Sequence, residues 1–129
     1  MPRDARPRPT DAELEILRVL WEKGPSTVRE VHAALKAAKP TGYTTVLKTM
    51  QIMADKGLVG RNEDQRAHVY TATAPRETTQ RQLVGDLLDR AFAGSATQLV
   101  MQALATRRAS SEELAKIRAM LDAFERGDR

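Results

Sequence analysis

Four side chains between residues 44 and 49 could do chemistry together. Thr44, Thr45, Lys48 and Thr49 lie in the run Thr41-Gly-Tyr-Thr-Thr-Val-Leu-Lys-Thr-Met-Gln-Ile-Met-Ala-Asp-Lys-Gly57. Val46, Met50 and Met53 fall at i, i+4 and i+7 there, which is one apolar stripe of a helix. The threonines and the lysine lie mostly away from that stripe. They present hydroxyls and one ammonium, with no carboxylate among them. Hydroxyls hydrogen-bond bases or phosphates, a threonine methyl meets a thymine methyl, and an ammonium meets phosphate or guanine. The chemistry on offer is recognition of duplex DNA through its major groove. Asp55 comes only at the C-terminal end of the run.

Bond-breaking chemistry has no comparable constellation. The two histidines, His32 and His68, have no histidine at metal-ligand spacing. The spacing predicts His32 on a helix surface and His68 on a surface or facing phosphate. Glu13, Glu15 and Glu22 read as a helix start and a solvated face, not as a catalytic carboxylate pair. No phosphate loop, nucleophile elbow or dinucleotide fingerprint occurs. With no cysteine, disulfides and zinc-thiolate sites are excluded. The expectation is a non-enzyme with no metal site and no cofactor.

Composition agrees. The 129 residues carry a formal net charge of +4, which suits a nucleic-acid partner without requiring one. Aromatic residues make up 4% and Trp21 is the only tryptophan, which argues against stacking on single strands. No run approaches the ~18 apolar residues of a membrane helix, and no signal-peptide core follows Met1. A cytoplasmic location without membrane insertion is expected. Residues 1–9 are Pro- and Arg-rich and read as a flexible tail, where Arg3, Arg6 and Arg8 can solubilise or touch phosphates.

These side chains need elements to position them. Thr10 and Glu13 have capping-box spacing, Leu14, Leu17 and Trp21 form a stripe that Ile16 and Leu20 widen, and Gly24-Pro25 stops a first helix over about 11–23. Thr27 and Glu30 repeat the box, and Val28, Val31 and Leu35 predict a second helix ending near Lys39-Pro40. A third helix runs from about Gly42 to Lys56, with Thr41 as N-cap and Gly57 just beyond its end. The short connection is that of a helix-turn-helix. Leu58 to Asn62 and His68 to Ala72 are β-prone, with Asp64 as a turn former between them. Three helices and a hairpin over 10–74 make a winged helix-turn-helix, with Arg61 and Arg66 on the wing where a phosphate would be met.

Residues 75–129 predict three more short helices. Pro75 suits the first position of one that carries Leu83, Leu87, Leu88 and Phe92 and stops at Gly94. Ser95 caps the next, with Leu99, Val100 and Leu104. Ser110 and Glu113 form another capping-box pattern before Leu114, Ile117, Leu121 and Phe124. So small a unit cannot hide these stripes within itself. A second copy would cover them, giving a two-fold dimer through Leu83, Leu87, Phe92, Leu99, Leu114, Ile117, Leu121 and Phe124. The alternative is that the helices fold back on the wing domain of the same chain.

The run Thr10-Asp-Ala-Glu-Leu-Glu-Ile-Leu-Arg-Val-Leu-Trp21, then Ser26-Thr-Val-Arg-Glu-Val31, Tyr43-Thr-Thr-Val46 and Lys56-Gly-Leu-Val59, resembles the BlaI/MecI/CopY family of bacterial penicillinase-repressor-type regulators. The likeness extends from Thr10 to about Phe124. It implies a homodimeric repressor that binds an inverted-repeat operator, its third helix in the major groove. Carried over by position, the groove-facing set is Tyr43, Thr44, Thr45, Lys48 and Thr49. The family's copper-responsive branch needs cysteines this chain lacks. Its antibiotic-responsive branch is inactivated by proteolysis at an Asn-Phe bond, triggered by a membrane-bound sensor protease. The matching position here is Gln102-Ala103, a different dipeptide. Two other readings of the residues stand beside this one: a winged-helix module that binds protein, and a ligand-sensing regulator of the MarR sort.

Overall fold

A computed structural model describes residues 7–127; Arg3 and Arg6 lie outside that range. The elements are α1 (Asp11–Lys23), β1 (Ser26–Thr27), α2 (Val28–Lys36), α3 (Tyr43–Lys56), β2 (Val59–Asn62), β3 (Val69–Ala72), α4 (Arg76–Ala91), α5 (Ala96–Thr106) and α6 (Ser111–Glu125). Both reciprocal capping boxes form. Thr10 and Glu13 close the start of α1, and Thr27 and Glu30 close that of α2. At Ser110 only half of the expected box is present, the serine accepting from the Glu113 N–H.

Three apolar stripes meet in one core. Ile16, Leu17 and Leu20 come from α1, Val28 and Val31 from α2, and Val46, Met50 and Met53 from α3. Val59 and Tyr70 close it from the sheet. Each such side chain, fully buried, contributes about 1.5–3 kcal/mol. This assigns the two faces of α3: the stripe is inside, and what lies opposite it must face out.

The wing is a three-stranded antiparallel sheet in the order β1-β3-β2. Val59 pairs with Ala72 and Arg61 with Tyr70, while Ser26 pairs with Tyr70 from the other side. The hairpin was readable in the sequence and β1 was not, since two residues are too few for a period-2 pattern. Gly57 takes a left-handed conformation (φ 82°) and turns the chain from α3 into β2. Asn62, not Asp64, supplies the turn contact, its Oδ1 accepting from the Asp64 N–H at 2.9 Å. The Trp21 indole donates to the Ala74 carbonyl at 2.9 Å and ties α1 to the chain leaving β3.

Three expected boundaries move. The second helix stops at Lys36, because the N–H groups of Ala38 and Lys39 both turn back to Leu35. The N-cap of α3 is Gly42, not Thr41. Pro75 sits one position before α4, its carbonyl accepting from Thr78 and Thr79.

Two compact units divide after Gly85, within α4. The wing ends near residue 74, but the first unit continues because Thr79 and Gln82 are buried beside Leu17 and Leu58. Leu83 also belongs there. It lines a cleft with Leu14 and Trp21 and is half-buried, so part of its surface is covered within the chain. In the second unit, α5 and α6 have no buried residue. Val100, Met101, Met120, Leu121 and Phe124 are about half exposed or more.

Candidate nucleic-acid interface

The outer face of α3 carries the side chains expected there. Tyr43, Thr44, Thr45 and Lys48 are exposed, and Thr49 is half-buried. Behind them Val46, Met50 and Met53 are at most 1% exposed, so the helix cannot roll without opening the core. The Thr49 hydroxyl donates to the Thr45 carbonyl at 2.7 Å. It keeps its acceptor lone pairs and methyl, but its hydrogen is already committed. Lys48 makes no ion pair among the described residues. Gln51, Ile52 and Asp55 extend the exposed surface toward the C-terminal end.

A cleft of about 400 Å³ separates α3 from the wing. Tyr43, Leu47 and Gln51 form one wall, at i, i+4 and i+8. Arg61, Arg66, His68 and Tyr70 form the other, and Thr27, Val28 and Arg29 close the α2 end. No carboxylate lines it among the described residues. Arg61 is not a free cation. Its Nε donates to Glu63 Oε2 at 2.8 Å, and the residue stands opposite Tyr70 across the strand pair. The Tyr70 side chain first and the Glu63 carboxylate second hold its pKa above the ordinary guanidinium value. Arg66 stands exposed at the wing tip with no ion pair among the described residues. Wing and helix therefore bring Arg61 and Arg66 to the same cleft as Tyr43, while Thr44, Thr45 and Lys48 lie on the neighbouring outer surface.

Two contributors escaped the sequence reading. Arg29 sits in the first turn of α2 and reaches the cleft only because β1 and α2 pack beside the wing. His32 is not a plain surface residue. It is half-buried, with Nε2 2.7 Å from the Thr41 carbonyl and its ring 5.6 Å from that of Tyr43 at 83°, edge to face. A lone histidine on an amphipathic helix carries no local signal for either contact. His68 is exposed on the wing, as expected.

Of the residues expected to pair two copies, Leu87, Leu114, Leu121 and Phe124 are exposed, at 47%, 37%, 55% and 63%, and Phe92, Leu99 and Ile117 are half-buried. Gln102 and Ala103 lie exposed inside α5, not in a loop. Among the described residues no group of three or more His, Cys, Asp or Glu side chains could hold a metal, and no helix is long and apolar enough to cross a membrane.

The chain is 34% identical over 113 residues to the transcriptional regulator BlaI of Mycobacterium tuberculosis, across 87% of this chain and 82% of that protein. It is 23% identical over 116 residues to the penicillinase repressor of Bacillus licheniformis, across 90% and 91% of the two chains. Among solved structures, the DNA-binding domain of the repressor BlaI in solution superposes with a TM-score of 0.50 at 24% identity, over 58% of this chain and 90% of that one. That likeness confirms the winged-helix fold. By name these relatives are a transcriptional regulator and a penicillinase repressor, roles without catalysis. The penicillinase repressor family model matches residues 9–123, and with this extent of match the chain belongs to the penicillinase repressor family.

Proposed function

We propose that this protein represses transcription as a homodimer that reads an inverted-repeat operator in the cytoplasm. One observation carries the reading. The exposed face of α3 offers Thr44, Thr45 and Lys48 without a carboxylate beside them, and a buried methionine stripe fixes that face outward next to a basic cleft. Tyr43, Thr44, Thr45, Lys48 and Thr49 meet base edges and adjacent phosphates in the major groove. Arg66 and Arg61 meet the backbone from the wing, and Arg61 does so by exchanging the Glu63 carboxylate for phosphate. Two copies present two third helices on the order of 34–36 Å apart, about one duplex turn.

The exposed apolar side chains of α5 and α6 support the dimer, with Leu87, Phe92, Leu99, Leu114, Ile117, Leu121 and Phe124 as the contact set. A membrane-bound sensor protease is the proposed route to derepression. Because Gln102-Ala103 lies within a helix, cleavage there requires α5 to unwind first.

The test is a titration of a duplex spanning the promoter of this protein's own gene, at several salt concentrations, with the wild type and Lys48→Ala. The variant should bind more weakly, and the slope of log K against log salt should flatten by about 0.9 for each phosphate no longer neutralised. Unchanged affinity and slope would remove Lys48 from the interface. No preference for the promoter over random duplex in dilute buffer would overturn the reading as a whole.

A further inference from the structure

We infer that His32 is a positioning residue for DNA recognition, holding the first turn of α3 through the Thr41 carbonyl and the Tyr43 ring. The inference rests on the proposed function, since it concerns how the groove-facing side chains are aimed.

The start of α3 lacks what the other capped helices have. Thr10, Thr27, Ser95 and Ser110 each accept an N–H of their own helix. Gly42, at the same position of α3, has no side chain and makes no such bond. Glycine is also the residue type whose backbone is least restricted, so it does not by itself fix the direction in which the helix leaves the turn. Thr41 does not compensate, because its hydroxyl turns back to the Lys39 carbonyl at 3.2 Å.

His32 supplies the missing restraint from a different helix. It follows Val31, which is fully buried, so its backbone is anchored in the core. Its Nε2 lies 2.7 Å from the Thr41 carbonyl. A carbonyl only accepts, so Nε2 carries the hydrogen. The same ring meets Tyr43 edge to face, with centroids 5.6 Å apart. One imidazole thus touches the residues on both sides of Gly42. Tyr43 is 45% exposed, and this contact restrains a ring that is otherwise open to solvent. Thr44 and Thr45 follow in the same turn, so their aim depends on it. Recognition that relies on pre-set geometry loses discrimination when such a support is removed.

Three variants separate the contributions. His32→Gln retains a donor able to reach the Thr41 carbonyl, His32→Phe keeps a ring without the donor, and His32→Ala removes both. Amide hydrogen exchange in DNA-free protein should quicken at Val46 and Leu47, the first amides of α3 bonded back into its opening turn, most in the alanine variant and by less in the phenylalanine and glutamine variants, each of which keeps one of the two contacts. The alanine variant should also bind the promoter duplex about tenfold more weakly, as removal of one hydrogen bond implies, with affinity for random duplex and salt slope unchanged. The glutamine and phenylalanine variants should each lose less than the alanine variant, since each keeps one of the two contacts. Unchanged exchange in His32→Ala overturns the inference. So does equal weakening on promoter and random DNA in step with a lowered unfolding temperature, which is the mark of a general structural role. A wild-type protein that ignores the promoter would instead sink the proposed function, and the exchange measurement would still decide the clamp.

Discussion

A single oxygen of Glu13 joins two ends of the winged unit. Glu13 Oε1 accepts from the Thr10 N–H at 2.8 Å and from Lys56 Nζ at 2.7 Å. Burial pushes this carboxyl upward, but the hydrogen bond from Lys56, the bonds from Thr10 and the Lys56 charge outweigh it, so the pKa lies below the ordinary value. A group depressed in this way stabilises the fold above its unfolded pKa of about 4.3 and stops doing so as pH falls through the folded value. Glu13→Gln should therefore cost about 1.5 kcal/mol at neutral pH. That is the lower end for a hydrogen bond to a charged group, because Lys56 is a third exposed and can turn into water. Urea titrations across pH check this: the gap between wild type and variant should begin to narrow near about pH 4.3 and close as pH falls through the lower folded value, and a gap constant with pH would refute the charge assignment. Only half of this contact was legible in the sequence. Thr10 is three residues away and announces itself by spacing, whereas Lys56 is 43 residues away and is brought there by the packing of α1 on α3. The same limit hid the Tyr70 and Glu63 engagement of Arg61 and both contacts of His32.

At the scale of elements, legibility followed periodicity. The stripes of α1, α2 and α3 span several turns each, and every residue assigned to the α3 stripe is buried. The hairpin was legible from its β-prone runs. What failed was set by single hydrogen bonds at ends: the early stop of α2, the Gly42 cap, and a two-residue β1 that exists only because β3 lies beside it. The outer face of α3 is held outward by the burial of its other face, and that can be tested. Met50 is fully buried in the middle of the stripe, so Met50→Ala leaves a void that its neighbours fill only in part. The expected cost is about 2–5 kcal/mol by denaturant unfolding. A loss under about 0.5 kcal/mol, the range of surface substitutions, would mean that α3 does not pack as described, and the outward face would lose its basis.

For the whole molecule, the two units differ in how they hide apolar surface. The winged unit buries ten hydrophobic side chains in one core, whereas α5 and α6 bury none. A solvated chain does not ordinarily leave Val100, Met101, Met120, Leu121 and Phe124 so exposed on two adjacent elements. A second copy is the partner whose supply is assured, and a two-fold pairing would match an inverted-repeat operator with the symmetry of the protein. Leu121→Asp separates the consequences. Leu121 is 55% exposed within one chain, so the winged unit should keep its stability within about 0.5 kcal/mol. The dimer should weaken, because the aspartate would have to be desolvated in an apolar contact. Sedimentation should show monomer at concentrations where the wild type is dimeric. Promoter affinity should fall by roughly 10²-fold or more, as the second half-site ceases to be bound at high effective concentration, while single half-site binding persists. Two results together would be fatal to the proposed contact set: an intact Leu121→Asp dimer, and promoter binding as tight as that of the wild type. The exposed stripe of α6 would then face something other than its own copy, and the spacing of the two third helices would have to be set elsewhere in the chain.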